Sequence, residues 1–544
     1  MFMSNQHRSK RTGTIVRLTA SACFAFAGCS SPQTAHAADP PLVETRQGVV
    51  QGVIEDGLVV FKGIPYAAPP VGPLRWKRPQ APATWDDVRP ATAFGPGCPM
   101  FDGSRMAEGR WLARGGVEMF VDIPAAPGAT EDCLYLNVWA PANAERAAVM
   151  VWIQPQLASS FPFFDGTAFA RDGVVFVSLD YRMLTLGNFA HPALTAEAGP
   201  DEPLCCFATL DHLAALRWVD ENIAAFGGDR DNVTVFGLSA GGAATLALLT
   251  TPDARGLIDK AIVQSGFSWG TLWSLAQAER LGSVFATHAG LPGAEATAEQ
   301  LRALPLGALP QAGFGIIDGR FRRDSTTTAI EEGRILDVPL MIGWTDFDGS
   351  SLRGTAPEDI VTQASDELLA AYASDGLSGA DLGYRMYTDS HVGAPARWVT
   401  AKTSEGAPSY LYLYSYVMTA RRGQVRGAAH GDDLAHVFDI WDKALPMVPR
   451  SEEDRAATRM MHGCWVSFAK TGEPSCDGAP EWPRYTQERD ELMELGLNPI
   501  VRRSFRKAQL DAQEAAWRSG ADESATEAEA ALRSFEEVGL RGTQ

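Results

Sequence analysis

The chain has 544 residues, 45% hydrophobic and 21% charged, and a formal net charge of −19. The composition is ordinary for a globular protein with enough chain to bury a large core. Its acidic balance repels phosphate backbones and argues against a nucleic-acid partner. The length suits either several domains or one large α/β sheet with insertions, and the element pattern below favours the second.

The first residues read as an export segment. Lys10, Arg11 and Arg17 precede an apolar stretch from Leu18 to Gly28, and Ala35-His36-Ala37 offers a small-x-small cleavage site. Phe26-Ala27-Gly28-Cys29 is an alternative site, which would leave Cys29 as a lipid anchor. The apolar stretch is too short to span a membrane. Export to the periplasm or medium implies an oxidising compartment, where disulfides persist. Of eight cysteines, Cys23 and Cys29 lie in this segment, leaving Cys98, Cys133, Cys205, Cys206, Cys464 and Cys476. Sequence does not fix their pairing. No Cys-x-x-Cys or His-rich cluster points to a metal, and no cofactor is expected.

Residues 42–61 alternate polar and apolar around Gly48 and Gly57 and read as a small antiparallel meander. Residues 63–100, rich in Pro and Gly, read as a long ordered loop. Short apolar runs follow at Val149–Ile153, Val174–Leu179, Val233–Phe236, Ile262–Ser265, Val338–Ile342 and Tyr410–Val417. They are of strand length and apolar on both faces, as in a sheet covered on both sides. Helical patterns lie between and after them, at Asp211–Phe226 (ended by Gly227-Gly228), Ser239–Leu249 and Arg455–Phe468. The chain from about Asn498 reads as helical, turning acidic and Ala-rich from Gly520. Strands alternating with helices predict a mainly parallel α/β sheet.

One of these strands runs into Gly237-Leu238-Ser239-Ala240-Gly241 and then a helix. A sharp strand-to-helix turn lifts a Ser hydroxyl clear of the sheet, and flanking glycines let the backbone turn without Cβ clashes. The N–H of Ala240, at the positive end of the helix, would face an oxyanion developing beside Ser239. The bare pattern is weak, and Gly266-Phe267-Ser268-Trp269-Gly270 also matches it. Bulky Trp269 and the lack of a small-residue helix start favour Ser239 over Ser268. A Ser nucleophile needs a base, and the base needs an orienting carboxylate. His430 lies in a Gly-flanked loop just after the 410–417 strand and is the candidate base, while His436 reads as structural. For the acid, the turn after Val338–Ile342 offers both Asp346 and Asp348. The residues alone leave that choice open.

The stretches FKGIPYAAPPVGPLRWKRPQ, EDCLYLNVWAP, IAAFGGDRDNVTVFG, SAGG and WVSFAKTGEP resemble, in order, the landmarks of the type-B carboxylesterases, over residues 42–500. The resemblance implies an α/β-hydrolase fold with a large, mainly parallel central sheet flanked by helices. With the export segment placed at 1–38 and the acidic, helical C-terminal stretch at 506–544, the esterase domain implied by the resemblance occupies 39–505. It places the acid on Asp348, the base on His430, a disulfide on Cys98 and Cys133, and ion pairs on Arg75–Glu131 and Arg182–Asp211. In the chain-entropy picture that disulfide contributes about 3–4 kcal/mol. The implied function is hydrolysis of small-molecule carboxylic esters, with no cofactor.

The chain departs from the family where the oxyanion would be held. After VMVWI the family has His-Gly-Gly-Gly, and here Gln154-Pro155-Gln156-Leu157 stands instead. By position Gln156 and Leu157 supply the two loop N–H donors beside that of Ala240, with backbones less free than glycine's. Leu238 replaces a usual Glu, Cys205-Cys206-Phe207-Ala208 replaces a Gly-Asn-Tyr/Phe-Gly stretch, and Met183-Leu184 replaces Leu-Gly. The expectation is therefore a serine esterase of weakened activity, with an inactive esterase-like binding or adhesion protein as the alternative.

Overall fold

Successive residues of one buried strand divide between two cores. Val149, Val151 and Ile153 pack into one apolar cluster and Met150 and Trp152 into another. The same alternation splits Val235 from Phe236, Val263 from Ile262, and Leu411 and Leu413 from Tyr410, Tyr412 and Tyr414. A strand has a side-chain period of two, so runs apolar on both faces require cover on both faces. That is the arrangement found.

The computed structural model describes residues 39–99, 110–114, 117–121, 128–155, 164–266, 269, 272–309, 311–520 and 533. Among these, an 11-stranded sheet is built from β1 (Val53–Glu55), β2 (Leu58–Pro65), β3 (Tyr135–Pro141), β4 (Ala147–Ile153), β5 (Val175–Leu179), β6 (Gly228–Leu238), β7 (Lys260–Gln264), β8 (Leu340–Thr345), β9 (Ser409–Tyr414), β10 (Glu491–Leu495) and β11 (Ile500–Arg503). The spatial order is β11-β10-β9-β8-β7-β6-β4-β5-β3-β2-β1. From β5 to β10 neighbours run parallel, and the strands at both edges pair antiparallel. One core is closed by α1 (Phe207–Asn222) through Leu213, Leu216 and Val219, and by α2 (Ala240–Leu249) through Leu246 and Leu248. The other is closed by α5 (Glu452–Thr471) through Met461, Trp465 and Phe468. Two further helices, α3 (Gly379–Thr388) and α4 (Ala394–Thr403), flank a π-turn at Asp389–Gly393.

The N-terminal meander splits between two sheets. Leu42–Thr45 and Gly48–Gln51 pair in a small sheet with Arg89–Pro90, whereas β1 and β2 extend the edge of the large one. Asp56 and Gly57 both have positive φ (50° and 80°), as a two-residue hairpin turn requires. Helix α1 begins four residues before the expected Asp211, and a 3₁₀ turn carries it to Phe226 and a left-handed Gly227.

Sequence reading from Asn498 onward as helix is corrected at its start. Ile500–Arg503 is an edge strand, antiparallel to β10 and tied across it by Arg502–Glu494 (2.6 Å) and Arg503–Glu491 (3.8 Å). Cross-strand charge pairs of this kind favour a short edge strand over a helix turn. Helix α6 (Lys507–Gly520) follows, anchored by buried Leu510 and by Trp517, which stacks on Trp269 with centroids 4.7 Å apart.

Cys98 and Cys133 are bridged, with Cα atoms 4.9 Å apart, as are Cys464–Cys476 and the adjacent pair Cys205–Cys206. Arg75 grips Glu131 with two N–H groups (Nε to Oε2 2.6 Å). Arg182 pairs bidentately with buried Asp211 (2.8 and 2.7 Å). The export segment and the tail beyond Gly520 lie outside the described residues, apart from position 533. No helix among the described residues is long and apolar enough to cross a membrane.

Candidate active site

Strands β4, β6, β7, β8 and β9 end at one edge of the sheet, and each delivers polar groups there. This is the edge where open parallel sheets carry their sites. At the end of β6, Ser239 adopts φ 56° and ψ −123°, a backbone state costly for a residue with a side chain. The strain is held by packing. A Cβ on Gly241 would lie 2.0 Å from the Ile153 carbonyl oxygen, and one on Gly237 would lie 2.5 Å from the Gly241 carbonyl carbon. Gly266 belongs to the same turn, since a Cβ there would stand 2.4 Å from Gly242 Cα. The first glycine of the second Gly-x-Ser-x-Gly stretch thus makes room for the helix after Ser239. Ser268 lies outside the described residues. Ser239 is half-buried, its N–H donates to the Gln264 carbonyl (2.9 Å), and Ala240 opens helix α2 beside it.

The turn after β8 separates the two aspartates. Asp346 accepts from the N–H of Ala428 (2.7 Å), so it holds the loop that carries His430. Burial pushes the Asp346 carboxyl up to about 6. Asp348, 1% exposed, places Oδ1 2.5 Å from His430 Nδ1. Its Oδ2 accepts from the Ser265 hydroxyl (2.8 Å) and the Thr345 N–H (2.7 Å). Burial alone would raise the Asp348 pKa, but the His430 charge and hydrogen bond, with Ser265 and Thr345, hold it below the usual carboxylate range. Burial lowers the His430 pKa, and the neighbouring Asp348 and Asp433 charges more than offset this, leaving it above the ordinary value. The His430 backbone N–H donates to Ser350 Oγ (2.8 Å), which fixes the His430 loop to the turn that carries Asp348.

His430 and Asp348 are therefore joined directly. The Ser239 turn meets the His430 loop through their chain neighbours: a Cβ on Gly431 would lie 3.4 Å from Leu238 Cδ2. Among the described residues, Ser239 Oγ makes no hydrogen bond in this resting arrangement, and such contacts often tighten only around substrate. His436 is buried, donor or acceptor to Thr458 Oγ1 (2.9 Å), and burial pulls its pKa down to about 4.

Of the oxyanion candidates, Ala240 is in place at the helix start, while Gln156 and Leu157 lie outside the described residues. The approach to their loop is described. Gln154 is fully buried, its amide donates to Asp180 Oδ1 (2.7 Å), and its carbonyl accepts from Tyr181 Oη (2.9 Å). Gln264, Ser265, Ser350 and Asp433 were not anticipated from sequence. Their only signal is position: Gln264 and Ser265 end a strand, and Ser350 and Asp433 sit two and three residues beyond a candidate acid and base.

The strand order, the strained serine turn and the His–Asp pair define an α/β-hydrolase. The carboxylesterase family model matches residues 39–380 and 356–513, and the chain belongs to that family. It is 34% identical over 488 residues to the para-nitrobenzyl esterase of Bacillus subtilis (strain 168), covering 84% of this chain and 94% of that one. It is 31% identical over 506 residues to the fumonisin B1 esterase of Sphingopyxis macrogoltabida, covering 87% and 90%. Among solved structures, a para-nitrobenzyl esterase superposes with a TM-score of 0.72 at 30% identity, covering 87% of this chain and 99% of that one. A Geobacillus stearothermophilus carboxylesterase gives the same TM-score, identity and coverage. The protein is a carboxylic ester hydrolase of the α/β-hydrolase fold.

Proposed function

We propose that Ser239, His430 and Asp348 hydrolyse small-molecule carboxylic esters through an acyl-enzyme. The observation that carries this reading is the His430–Asp348 hydrogen bond at the same sheet edge as the strained Ser239 turn. Ser239 Oγ attacks the ester carbonyl carbon as its proton passes to His430 Nε2. The carbonyl π electrons move onto oxygen, where the Ala240 N–H and the N–H groups of Gln156 and Leu157 receive the charge. The tetrahedral species collapses, the alkoxy group leaves with the His430 proton, and the acyl group stays on Ser239. Water then repeats the sequence, with His430 as base, and releases the carboxylic acid. Asp348 holds the imidazole with its proton on Nδ1 and stabilises the imidazolium.

The family relationship and the intact acid–base pair favour this over a binding or adhesion role on an inactive scaffold. The Gln154-Pro155-Gln156-Leu157 segment points to weakened turnover rather than none, because each residue after Pro155 still owns an N–H. The three disulfides suit export through the N-terminal segment into an oxidising compartment, as a soluble or lipid-anchored protein.

The test is turnover of an activated short-chain aryl ester and labelling by an organophosphonate, with Ser239→Ala as control. Both signals are expected in the wild type and lost in the variant. Equal signals in the two proteins would overturn the assignment.

A further inference from the structure

Asp433 is a carboxylate that the hydrolytic sequence above does not use. It follows His430 by three residues and is 1% exposed. Its Oδ2 accepts from the Gln264 amide at 2.6 Å, and its Oδ1 has no hydrogen-bond partner among the described residues. Trp465 Nε1 donates to Gln264 Oε1 (3.3 Å), which orients the amide so that its NH₂ faces Asp433. The same Gln264 holds the Ser239 N–H through its carbonyl. One residue therefore fixes both the nucleophile and this carboxylate. Leu238, 3% exposed and against Gly431, presents only methyl groups on the side where the base loop meets the serine turn. A buried carboxylate with an unpartnered oxygen is unfavourable for the fold alone, and such groups concentrate where they act on a neighbour's charge.

We propose that Asp433 is a positioning residue for catalysis, a second carboxylate whose charge stabilises the imidazolium of His430 without a hydrogen bond to it. The inference rests on the reading of Ser239, His430 and Asp348 as the hydrolytic group. Asp348 occupies Nδ1, so a second anion works through space, and the field of a carboxylate as buried as Asp433 is only weakly screened. The other charged and titratable groups facing this region are Asp346, Asp348 and Arg353 from the turn after β8, Tyr412 and Tyr414 from β9, Asp432 with Arg421 from the base loop, and His391 beyond α3. The Asp433 charge raises the His430 pKa, next after Asp348, whereas Arg353 lowers it. Burial, against the Gln264 hydrogen bond, pushes Asp433 itself up to about 6. It is thus mainly ionised at neutral pH, where the base works.

The experiment compares full-length wild type with Asp433→Asn, which keeps an oxygen for Gln264 and removes the charge, and with Asp433→Glu, which restores it. Two readouts are taken: kcat and KM against pH on an activated aryl ester, and the His430 ring titration by NMR in a Ser239→Ala background, which needs no turnover. Asp433→Asn is expected to lower kcat about tenfold with KM within about twofold, and to lower the His430 pKa by about half a pH unit or more. Asp433→Glu is expected to recover most of both. If Asn is not accommodated in a folded protein, smaller and neutral Ser at 433 reads the same loss of charge. An unmoved His430 titration in a folded Asn or Ser variant overturns the proposal, even if Tm falls. Absence of Ser239-dependent turnover would instead overturn the hydrolytic reading, and the NMR titration would still decide the coupling between Asp433 and His430.

Discussion

The hydroxyl of Ser265 donates to Oδ2 of Asp348 at 2.8 Å, from the first position beyond β7, with Ser265 held at φ 44°. The contact joins the acid to the strand beside its own. Together with the Thr345 N–H it leaves Oδ1 free to face His430. A hydrogen bond to a charged group contributes about 1.5–3 kcal/mol. Ser265→Ala is therefore expected to lower stability by about 1–2 kcal/mol and kcat by about tenfold, with KM little changed. Urea denaturation and steady-state kinetics check both. An unaltered kcat would mean that Thr345 and His430 alone orient the carboxylate.

Asp348→Asn removes the charge and offers His430 the wrong hydrogen-bonding partner. A loss of about 10⁴-fold in kcat is expected, the size seen when a triad loses its acid. The pH profile gives a sharper check. In the proposed mechanism His430 must be neutral to accept the Ser239 proton, so activity should fall as pH drops through its pKa. That pKa is held above the ordinary value by Asp348 against burial. The acidic limb of kcat/KM should thus move to lower pH in the variant. A limb that stays in place would show that another group titrates there.

Strand and helix positions were legible wherever one physical period dominated. Val149–Ile153 and Tyr410–Val417 are apolar on both faces; the first lies within the buried strand β4, and the second coincides with β9 as far as Tyr414, where the strand ends. Gly237 and Gly241 were legible as a turn because the close approach to Ile153 leaves no room for a Cβ. The strand Ile500–Arg503 was not, since its pairing depends on Glu491 and Glu494 across the sheet, and no local pattern carries that. The choice of Asp348 over Asp346, which only the family resemblance supplied, was illegible in the residues alone for a related reason. Both sit in one turn, and only the tertiary path of the 427–430 loop gives one aspartate the backbone and the other the imidazole. Gln264 and Asp433 carry no motif at all.

Gly241→Ala tests how much the serine turn depends on close packing. The added methyl would start 2.0 Å from a backbone carbonyl of β4, and both groups belong to rigid elements. Relief requires helix α2 to move off the sheet, which displaces Ser239. Expected are a destabilisation of about 2–4 kcal/mol and loss of most activity. Thermal unfolding and organophosphonate labelling measure the two. Full labelling at wild-type stability would show that the helix start has slack the geometry denies.

Asp454 sets a pH dependence for stability far from the chemistry. It is fully buried at the start of α5 and accepts from Tyr416 Oη, the Thr419 N–H and hydroxyl, and the Ser451 N–H and hydroxyl at 2.6–3.0 Å. Burial raises its pKa, but the Thr419 and Ser451 bonds win and hold it well below the usual carboxylate range. A depressed folded-state pKa gives stability that is fully present above the unfolded value near 4 and is lost as pH falls below it. Asp454→Asn should cost about 2–4 kcal/mol at pH 7, and its deficit against the wild type should shrink below about pH 4. A deficit constant from pH 7 to pH 3 would assign the loss to packing rather than charge.

The Gln154–Leu157 segment, proposed to hold the oxyanion, yields the most direct test of the proposed weak turnover. Its entry is stiff: Gln154 is held by Asp180 and Tyr181, and Pro155 has a fixed φ and no N–H. In the proposed mechanism Gln156 and Leu157 aim their N–H groups at the oxyanion, and side-chain-bearing residues resist the backbone angles that glycine reaches. One misaimed donor costs about 3–4 kcal/mol of transition-state stabilisation, or 10²–10³ in rate. Because the charge develops only in the transition state, the penalty falls on kcat and spares KM. Replacing Pro155, Gln156 and Leu157 together by Gly should therefore raise kcat by about tenfold or more while KM changes little. If kcat stays level in a protein whose Ser239 still takes the phosphonate, the loop already presents its donors, and slow turnover must be sought in the altered pocket wall.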